Sequence, residues 1–327
     1  MVEREHAVSD RRAIPVDVVI PAFNEAASIA RVLTDVASSR IDPPFVLRRV
    51  DVWSDCSTDG TDEIVKEFAA LDARVGLERP CPRRGKSSVL NRVFRTSDAA
   101  VLVVLDADVG LADDGVLSEL VKPVVTENAA LVGADVVPDR RGAGRIAEAA
   151  RYFDWQLEKE YRLRAPLSFY SAYGRALALS RDFFTSLQLP SDQADDLYMY
   201  FVATRLGRFA FAPRAKVLFS PPRSLEDYAL QFVRFGYYLE QARREFGERE
   251  VKEGIEVAGR TGLFARAFGR APTAGVCWLI ARVWTYVRGR DRSLLAEFET
   301  GTWHTASSPV RSGKADEPRR FPTRPGE

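Results

Sequence analysis

The chain has 327 residues, enough to bury a large core as one large domain or two modest ones. Its 47 basic residues nearly cancel its 46 acidic ones, for a formal net charge of +1, so no global field points to nucleic acid and any polyanion site must be local. Cys56, Cys81 and Cys277 are scattered, odd in number and without a CxxC, which argues against a disulfide framework or zinc site and for a reducing, cytoplasmic setting; the two histidines, His6 and His304, lie near the ends, which argues against histidine catalysis.

Met1 to Ala13 is charged and lacks an apolar h-region, so no signal peptide is expected there. Val16–Pro21 is a β-branched run, read as the first strand. Glu25 to Ala37 is helical, with Ile29, Val32, Leu33 and Val36 at helix spacing. Val46–Ser54 is the second strand, and Thr61–Leu71 a helix with Ile64, Val65 and Phe68 on one face. Val75–Glu78 is a short third strand, Lys86–Arg95 a helix and Val101–Leu105 the fourth strand. This alternation predicts an α/β fold with a right-handed, mostly parallel, doubly wound sheet.

A helix around Val116–Val125, a strand near Ala130–Val137 and a long helix from about Ala143 to Arg162 follow. Beyond them come a short strand at Leu177–Leu179, a helix over Asp195–Leu206, one or two strands within Phe209–Phe219 and a long helix over Leu225–Phe246. No run of 18 uncharged apolar residues occurs, so no ordinary transmembrane helix is expected. Thr305 to Glu327, rich in Pro, Ser, Arg and Gly, reads as a disordered tail.

The chemistry gathers where the strands end, because open α/β sheets bind ligands at the carboxyl edge. Val101–Leu105 runs straight into Asp106-Ala107-Asp108. Two carboxylates with one residue between them can share a hard divalent cation such as Mg²⁺ or Mn²⁺, although such a pair also occurs at strand ends without one. The first strand ends in Pro21-Ala22-Phe23-Asn24-Glu25, whose backbone amides could hold a base or ribose, or could form an ordinary loop. The second ends in Ser54-Asp55-Cys56-Ser57-Thr58-Asp59-Gly60-Thr61. Asp55 can accept from a uracil or guanine edge, while Ser57, Thr58 and Asp59 suit capping of the next helix. In Arg83-Arg84-Gly85-Lys86, a cation opens a helix, an unfavourable place unless an anion or nucleotide sits there. No GxGxxG and no GxxxxGK[ST] is present.

These four loops, in this order, resemble the nucleotide-sugar half of a family 2 glycosyltransferase with the GT-A fold, over most of residues 16–110. The resemblance implies a Rossmann-like, mostly parallel central sheet flanked by helices. It implies nucleotide contacts from Pro21, Ala22, Phe23, Glu25 (ribose), Asp55 (base), Lys86, Asp106 and Ala107, and a divalent cation on Asp108 and Asp106. Ser54-Asp55-Cys56 stands where the family more often reads Asp-Asp-Gly, with Asp55 kept. The implied organisation is a disordered N-terminus over 1–14, a GT-A domain over 15–246 (nucleotide half 15–110, acceptor and catalytic half 111–246), an amphipathic helical extension over 247–304 and a disordered tail over 305–327.

The second half extends the resemblance. Asp195-Asp196 matches the family's acidic pair at a helix start, with Asp196 as the base that takes the acceptor proton and Asp195 beside it; two acids in a first helical turn also complement the macrodipole. Gln231-Phe232-Val233-Arg234-Phe235 resembles the family's Gln-x-x-Arg-Trp motif with Phe for Trp. On a helix, Gln231, Arg234 and Phe235 share one face, and Arg234 can hold a departing diphosphate by forked hydrogen bonds. Tyr173, Gly174 and Phe235 fall where the family binds its acceptor. Val217-Leu218-Phe219-Ser220-Pro221 lacks the histidine that many relatives place near there, which leaves water or the diphosphate to complete a metal's shell.

The expected activity is therefore metal-dependent, inverting, non-processive transfer of a hexose or N-acetylhexosamine from a nucleotide diphosphate, a UDP-sugar above all, to an acceptor hydroxyl. A sugar nucleotidyltransferase would need a Gly-rich basic loop after the first strand, which is absent. A catalytically dead relative acting as a binding partner would not need the retained Asp-x-Asp, Asp-Asp and Arg. Near the end, Val276, Leu279, Ile280, Val283, Trp284 and Val287 form an apolar stripe with Arg266, Arg270, Arg282, Arg288 and Arg290 around it. It reads first as a helix packed on its own domain, and second as a peripheral contact of residues 262–290 with a cytoplasmic membrane face or a partner.

Overall fold

The computed structural model describes residues 13–139, 145–191, 193–256 and 259–288. The expected disordered tail, the last part of the extension, Arg290 and both histidines lie outside the described residues. In chain order the elements are β1 (Ile14–Ala22), α1 (Ile29–Ala37), β2 (Phe45–Ser54), α2 (Thr61–Leu71), β3 (Val75–Glu78), α3 (Lys86–Thr96), β4 (Val101–Leu105), β5 (Val109–Leu111), α4 (Val116–Thr126), β6 (Leu131–Pro138) and α5 (Ile146–Arg164). A short 3-10 turn at Phe169–Ser171 leads to β7 (Ala176–Ser180), α6 (Arg181–Ser186), α7 (Asp195–Arg205), β8 (Phe209–Phe219), α8 (Leu225–Phe246), α9 (Glu248–Ile255), α10 (Arg260–Arg270) and α11 (Pro272–Arg288).

Eight strands form one sheet in the order β3-β2-β1-β4-β7-β6-β8-β5. The first four run parallel, as the βα alternation predicts; β7 pairs antiparallel with both β4 and β6, and β5 antiparallel with β8. Side-chain alternation divides the core. Val16, Val18, Ile20, Val101, Val103 and Leu105 pack with α1 and α4 on one face. Val19, Leu102 and Val104 pack with α3, α6 and α7 on the other. All five residues of β4 are buried, the continuous apolar run expected of a strand covered on both faces.

The first helix begins at Ile29, not Glu25, because Asn24 turns the chain with φ at 56°, a left-handed conformation that asparagine tolerates. The strand β5 and the helices α6 and α9 were not legible: the first two are three and six residues long, below the length at which periodicity speaks, and α9 is eight residues dominated by charge.

Two expectations need correction. Cys56 and Cys81 form a disulfide, with Cα atoms 5.5 Å apart. Their number and sequence spacing hid this, because β2 and β3 are parallel neighbours whose following loops emerge side by side. The cysteine argument for a reducing compartment falls with it; Cys277 is free. Second, the apolar stripe of α11 does not pack on its own domain: Val276, Leu279, Ile280, Val283, Trp284 and Val287 are 40–65% exposed, while Ala274, Gly275, Ala281 and Thr285 on the opposite face are buried. Small residues let that buried face approach α5 closely: a Cβ on Gly275 would come within 3.1 Å of the Phe153 ring. No helix among the described residues is long and apolar enough to cross a membrane.

Candidate active site

Three loops at the carboxyl edge of the sheet bind one another. The Asn24 amide donates to Ser57 Oγ (3.1 Å), Glu25 to Thr61 Oγ1 (2.8 Å) and Ala26 to Asp59 Oδ2 (3.0 Å). In return the Thr58 amide donates to Asn24 Oδ1 (2.9 Å). The amides of Asn24 and Glu25 are thus already engaged by side chains, which takes those two out of the expected backbone contact with a base or ribose. The expected capping is corrected as well: Asp59 accepts from the Thr61 amide at the start of α2, whereas Ser57 and Thr58 serve the Asn24 turn.

Asp55 is buried, and its two oxygens accept the backbone amides of Arg84 (2.9 Å) and Gly85 (2.7 Å) from the third loop. Arg83 then lies with its guanidinium 3.6 Å from the centre of the Phe23 ring. Pro21 and Ala22 complete β1, and Ala107 is buried between the two aspartates of its motif.

Asp106 and Asp108 follow β4 directly. Lys86, the first residue of α3, reaches Asp106 Oδ1 at 2.8 Å and Asp195 Oδ2 at 3.0 Å. The cation that stood unexplained at a helix start is therefore matched by two carboxylates of the chain. Burial works against its charge, but Asp106 and Asp195 outweigh it and hold the ammonium above the ordinary lysine value. Asp108 sits 3.2 Å from Arg175, whose guanidinium lies over Phe219. Glu25, bonded to Ser28 Oγ at 2.7 Å, is pushed up to about 7. Burial is the main cause; Ser28 opposes it, and the nearby Asp108 and Asp106 charges add to it.

This edge therefore carries more negative charge than it neutralises internally. Hard oxygen donors in such excess fit a divalent cation. Among the described residues no group of three or more His, Cys, Asp or Glu stands ready to enclose one. The protein would supply the Asp106 and Asp108 pair, and the rest of the shell would come from elsewhere.

Asp196 occupies the first turn of α7. Its Oδ2 accepts the Gly174 amide and its Oδ1 the Leu197 amide, both at 2.8 Å. Gly174 is required for this approach, since a Cβ there would meet the Asp196 side chain at 2.8 to 3.0 Å. Burial first, and the Asp195 charge second, push Asp196 up to about 6 against the opposing effect of Lys86.

Lys86, Asp106, Asp195 and Asp196 line one end of a cavity of about 700 Å³, with Tyr173, Gly174, Gln231, Arg234 and Phe235 beside them. The predicted helix face of Gln231, Arg234 and Phe235 is thus one stretch of cavity wall on α8, and Phe235 stacks on Phe169 with ring centres 5.9 Å apart. Pro21, Ala22, Phe23, Glu25, Asp55, Ala107 and Asp108 do not line this cavity; they belong to the loop edge beside it.

Sequence reasoning missed the far end of the cavity. Arg151, Asp154, Glu158 and Tyr161 of α5 line it together with Tyr228, Arg260, Trp278 and Arg282. Arg151 pairs with Glu158 at 3.0 Å. Asp154 accepts from Tyr228 (2.7 Å) and Trp278 (2.6 Å), tying α11 to α5 and α8. A signal was present: positions 151, 154, 158 and 161 recur at helical spacing, a polar stripe running along a helix that must pack.

Comparison with known proteins fits this geometry. The chain is 34% identical over 142 residues to glycosyltransferase AglD of Haloferax volcanii, a match covering 42% of this chain and 22% of that protein. The chain thus spans well under two thirds of the length of that relative. Among solved structures it resembles the mannosyltransferase PcManGT of Pyrobaculum calidifontis, determined with GDP-Man and Mn²⁺ (TM-score 0.59, 20% identity, 89% and 86% of the two chains). It also resembles mannosyl-3-phosphoglycerate synthase of Rubrobacter xylanophilus (TM-score 0.52, 15% identity, 72% and 75%). At such identities the structural likeness speaks to the fold. The family model for glycosyl transferase family 2 matches residues 17–184, and the chain belongs to that family of glycosyltransferase enzymes with the GT-A fold.

Proposed function

We propose that the chain transfers a sugar from a nucleotide diphosphate, a UDP-sugar above all, to an acceptor hydroxyl in one inverting, non-processive displacement assisted by a divalent cation. Asp196 carries this reading. It is a carboxylate fixed by two backbone amides and raised to about 6, on the wall of a cavity that also presents Gln231 and Arg234. As the acceptor oxygen attacks the anomeric carbon, Asp196 takes the hydroxyl proton. The bond from the anomeric carbon to the diphosphate breaks, its electron pair leaves with the diphosphate, and Arg234 and Gln231 hold the departing anion. Asp195 keeps Asp196 basic and Lys86 balances the pair. A divalent cation held by Asp108 and Asp106 would offset the charge of the leaving group. Glu25 and Asp55, by the family pattern, face the ribose and base.

PcManGT was solved with GDP-Man and Mn²⁺, so the donor screen takes both UDP- and GDP-sugars with and without Mn²⁺. The expected result is a thermal shift with one nucleotide that grows with Mn²⁺. Asp196→Asn should bind that nucleotide normally and fail to transfer. Unchanged turnover in both Asp108→Ala and Asp196→Asn sinks the mechanism. The exposed apolar face of α11 supports peripheral contact with a membrane, and Arg266 and Arg270 of the neighbouring α10, which share the single carboxylate Glu160, leave a positive charge over that suits an anionic one. Co-sedimentation with anionic but not neutral vesicles tests it.

A further inference from the structure

The far end of the cavity has a surplus of positive charge that the transfer mechanism does not use. Arg282 lies flat over the Phe232 ring, 3.6 Å from its centre, and also faces Trp278. Its Nη1 is buried without a hydrogen-bond partner among the described residues. Arg260 lines the same end. Burial pushes the Tyr161 hydroxyl up; Arg260 and Arg282 pull it down while Glu158 and Asp154 push it further up, so both cations and both carboxylates act on that hydroxyl. Neither forms an ion pair among the described residues. The carboxylates present are otherwise engaged: Glu158 with Arg151, and Asp154 with Tyr228 and Trp278. Burial also raises Asp154 to about 6, so its charge is held at neutral pH and fades as the medium turns acidic. A buried guanidinium donor left unmatched costs the full desolvation of that group, which an oxyanion would offset with forked hydrogen bonds.

We propose that the acceptor carries an anionic group, a phosphate ester before a carboxylate, bound by Arg282 and Arg260 while its hydroxyl reaches Asp196. The inference rests on the transfer reading above and names its acceptor class. Two guanidiniums match the double charge of a phosphate monoester. The aromatic lining of Tyr161, Tyr170, Phe232 and Trp278 accommodates an apolar body behind that group.

The test is calorimetric titration of the full chain, saturated with UDP and Mn²⁺, with phenyl phosphate and with its neutral counterpart benzyl alcohol. Phenyl phosphate should bind at least tenfold more tightly, and UDP should not displace it. Arg282→Gln should weaken it about tenfold, Arg260→Gln less, with UDP affinity unchanged in both. Equal binding of the two probes, displacement by UDP, or undiminished binding in both variants overturns the proposal. The probe comparison needs only the wild-type chain, so a variant that fails to fold does not shelter the idea. Failure of the wild type to bind any nucleotide would overturn the donor reading while leaving the phenyl phosphate result to stand alone. Farnesyl phosphate in micelles separates the sources: tighter binding than phenyl phosphate supports a lipid phosphate, and equal binding supports a soluble ester.

Discussion

At the loop edge beyond β1, β2 and β3, carboxylates and hydroxyls hold backbone: Asp55 takes the Arg84 and Gly85 amides, and Ser57, Asp59 and Thr61 take those of Asn24, Ala26 and Glu25. On the cavity wall of α5, α7, α8 and α11, charged groups mostly meet other side chains, as in Arg151 with Glu158 and Asp154 with Tyr228 and Trp278. Asp196 is the exception, a backbone-held carboxylate on the cavity side. The first region builds a shelf from the loops of neighbouring strands, with partners 29 to 36 residues apart in sequence. The second assembles a charged lining from helices far apart in the chain, and leaves Arg234, Arg260 and Arg282 without ion pairs among the described residues. A carboxylate that holds backbone shapes the site, whereas one raised by a like charge and buried beside a cavity is poised for proton transfer.

The largest expected effect removes the one carboxylate that does both. Asp196→Asn keeps the shape and at least one acceptor but loses the base, so transfer should fall by on the order of 10³-fold with nucleotide affinity within a factor of two or so. Steady-state rates and a UDP titration check both halves. A fall in UDP affinity instead would move Asp196 to the shelf side of the comparison.

Next comes the shelf. Asp55→Ala frees two buried amides of charge-assisted hydrogen bonds and should lower stability by about 2–3 kcal/mol. Thermal unfolding reads it directly. A stable variant that has merely lost nucleotide affinity would show that Asp55 serves the ligand more than the fold.

The acid limb of the rate follows from Asp196 being raised to about 6. The base works only when deprotonated, so kcat/KM should be flat above that pH and fall about tenfold per unit below it. Burial is the larger cause and survives Asp195→Asn; the Asp195 charge is the second cause, and its removal should move the limb to lower pH. A limb that does not move assigns the shift to burial alone.

The two regions also differed in legibility. The four sheet-edge loops could be read in order because each strand end is marked by its own short motif, and βα alternation fixes which edge those ends share. Gln231, Arg234 and Phe235 were readable for the same reason, three residues on one helix face. Arg282 could be placed near an apolar stripe but not inside a cavity, because the ring it lies on, Phe232 of α8, is far from it in sequence. Cys56 and Cys81 were equally opaque until the parallel pairing of β2 and β3 set their loops together. Motifs report local chemistry; partners brought by packing do not appear in spacing.

The smallest predicted effect, at Glu25, asks whether the shelf too contains a group held for ligand and not for stability. Its folded value of about 7 lies above the ordinary 4.5, chiefly through burial, so the folded chain binds that proton more tightly than the unfolded one. Between those two pH values the folded state retains the proton that the unfolded state has lost, so stability contributed by this group falls as pH rises and the cost is complete above about 7. Glu25→Gln removes the charge and can still accept from Ser28. At pH 8 the variant should be more stable than the wild type by on the order of 1 kcal/mol, discounted for the partial exposure of the side chain. At pH 5 the difference should nearly vanish. If the variant gains stability at pH 8 and loses nucleotide affinity together, Glu25 is a charge the fold bears at a cost because the ribose needs it. If stability is indifferent to pH, neither burial nor the Asp108 and Asp106 charges raise Glu25, and the excess negative charge that fits a cation at this edge loses one of its supports.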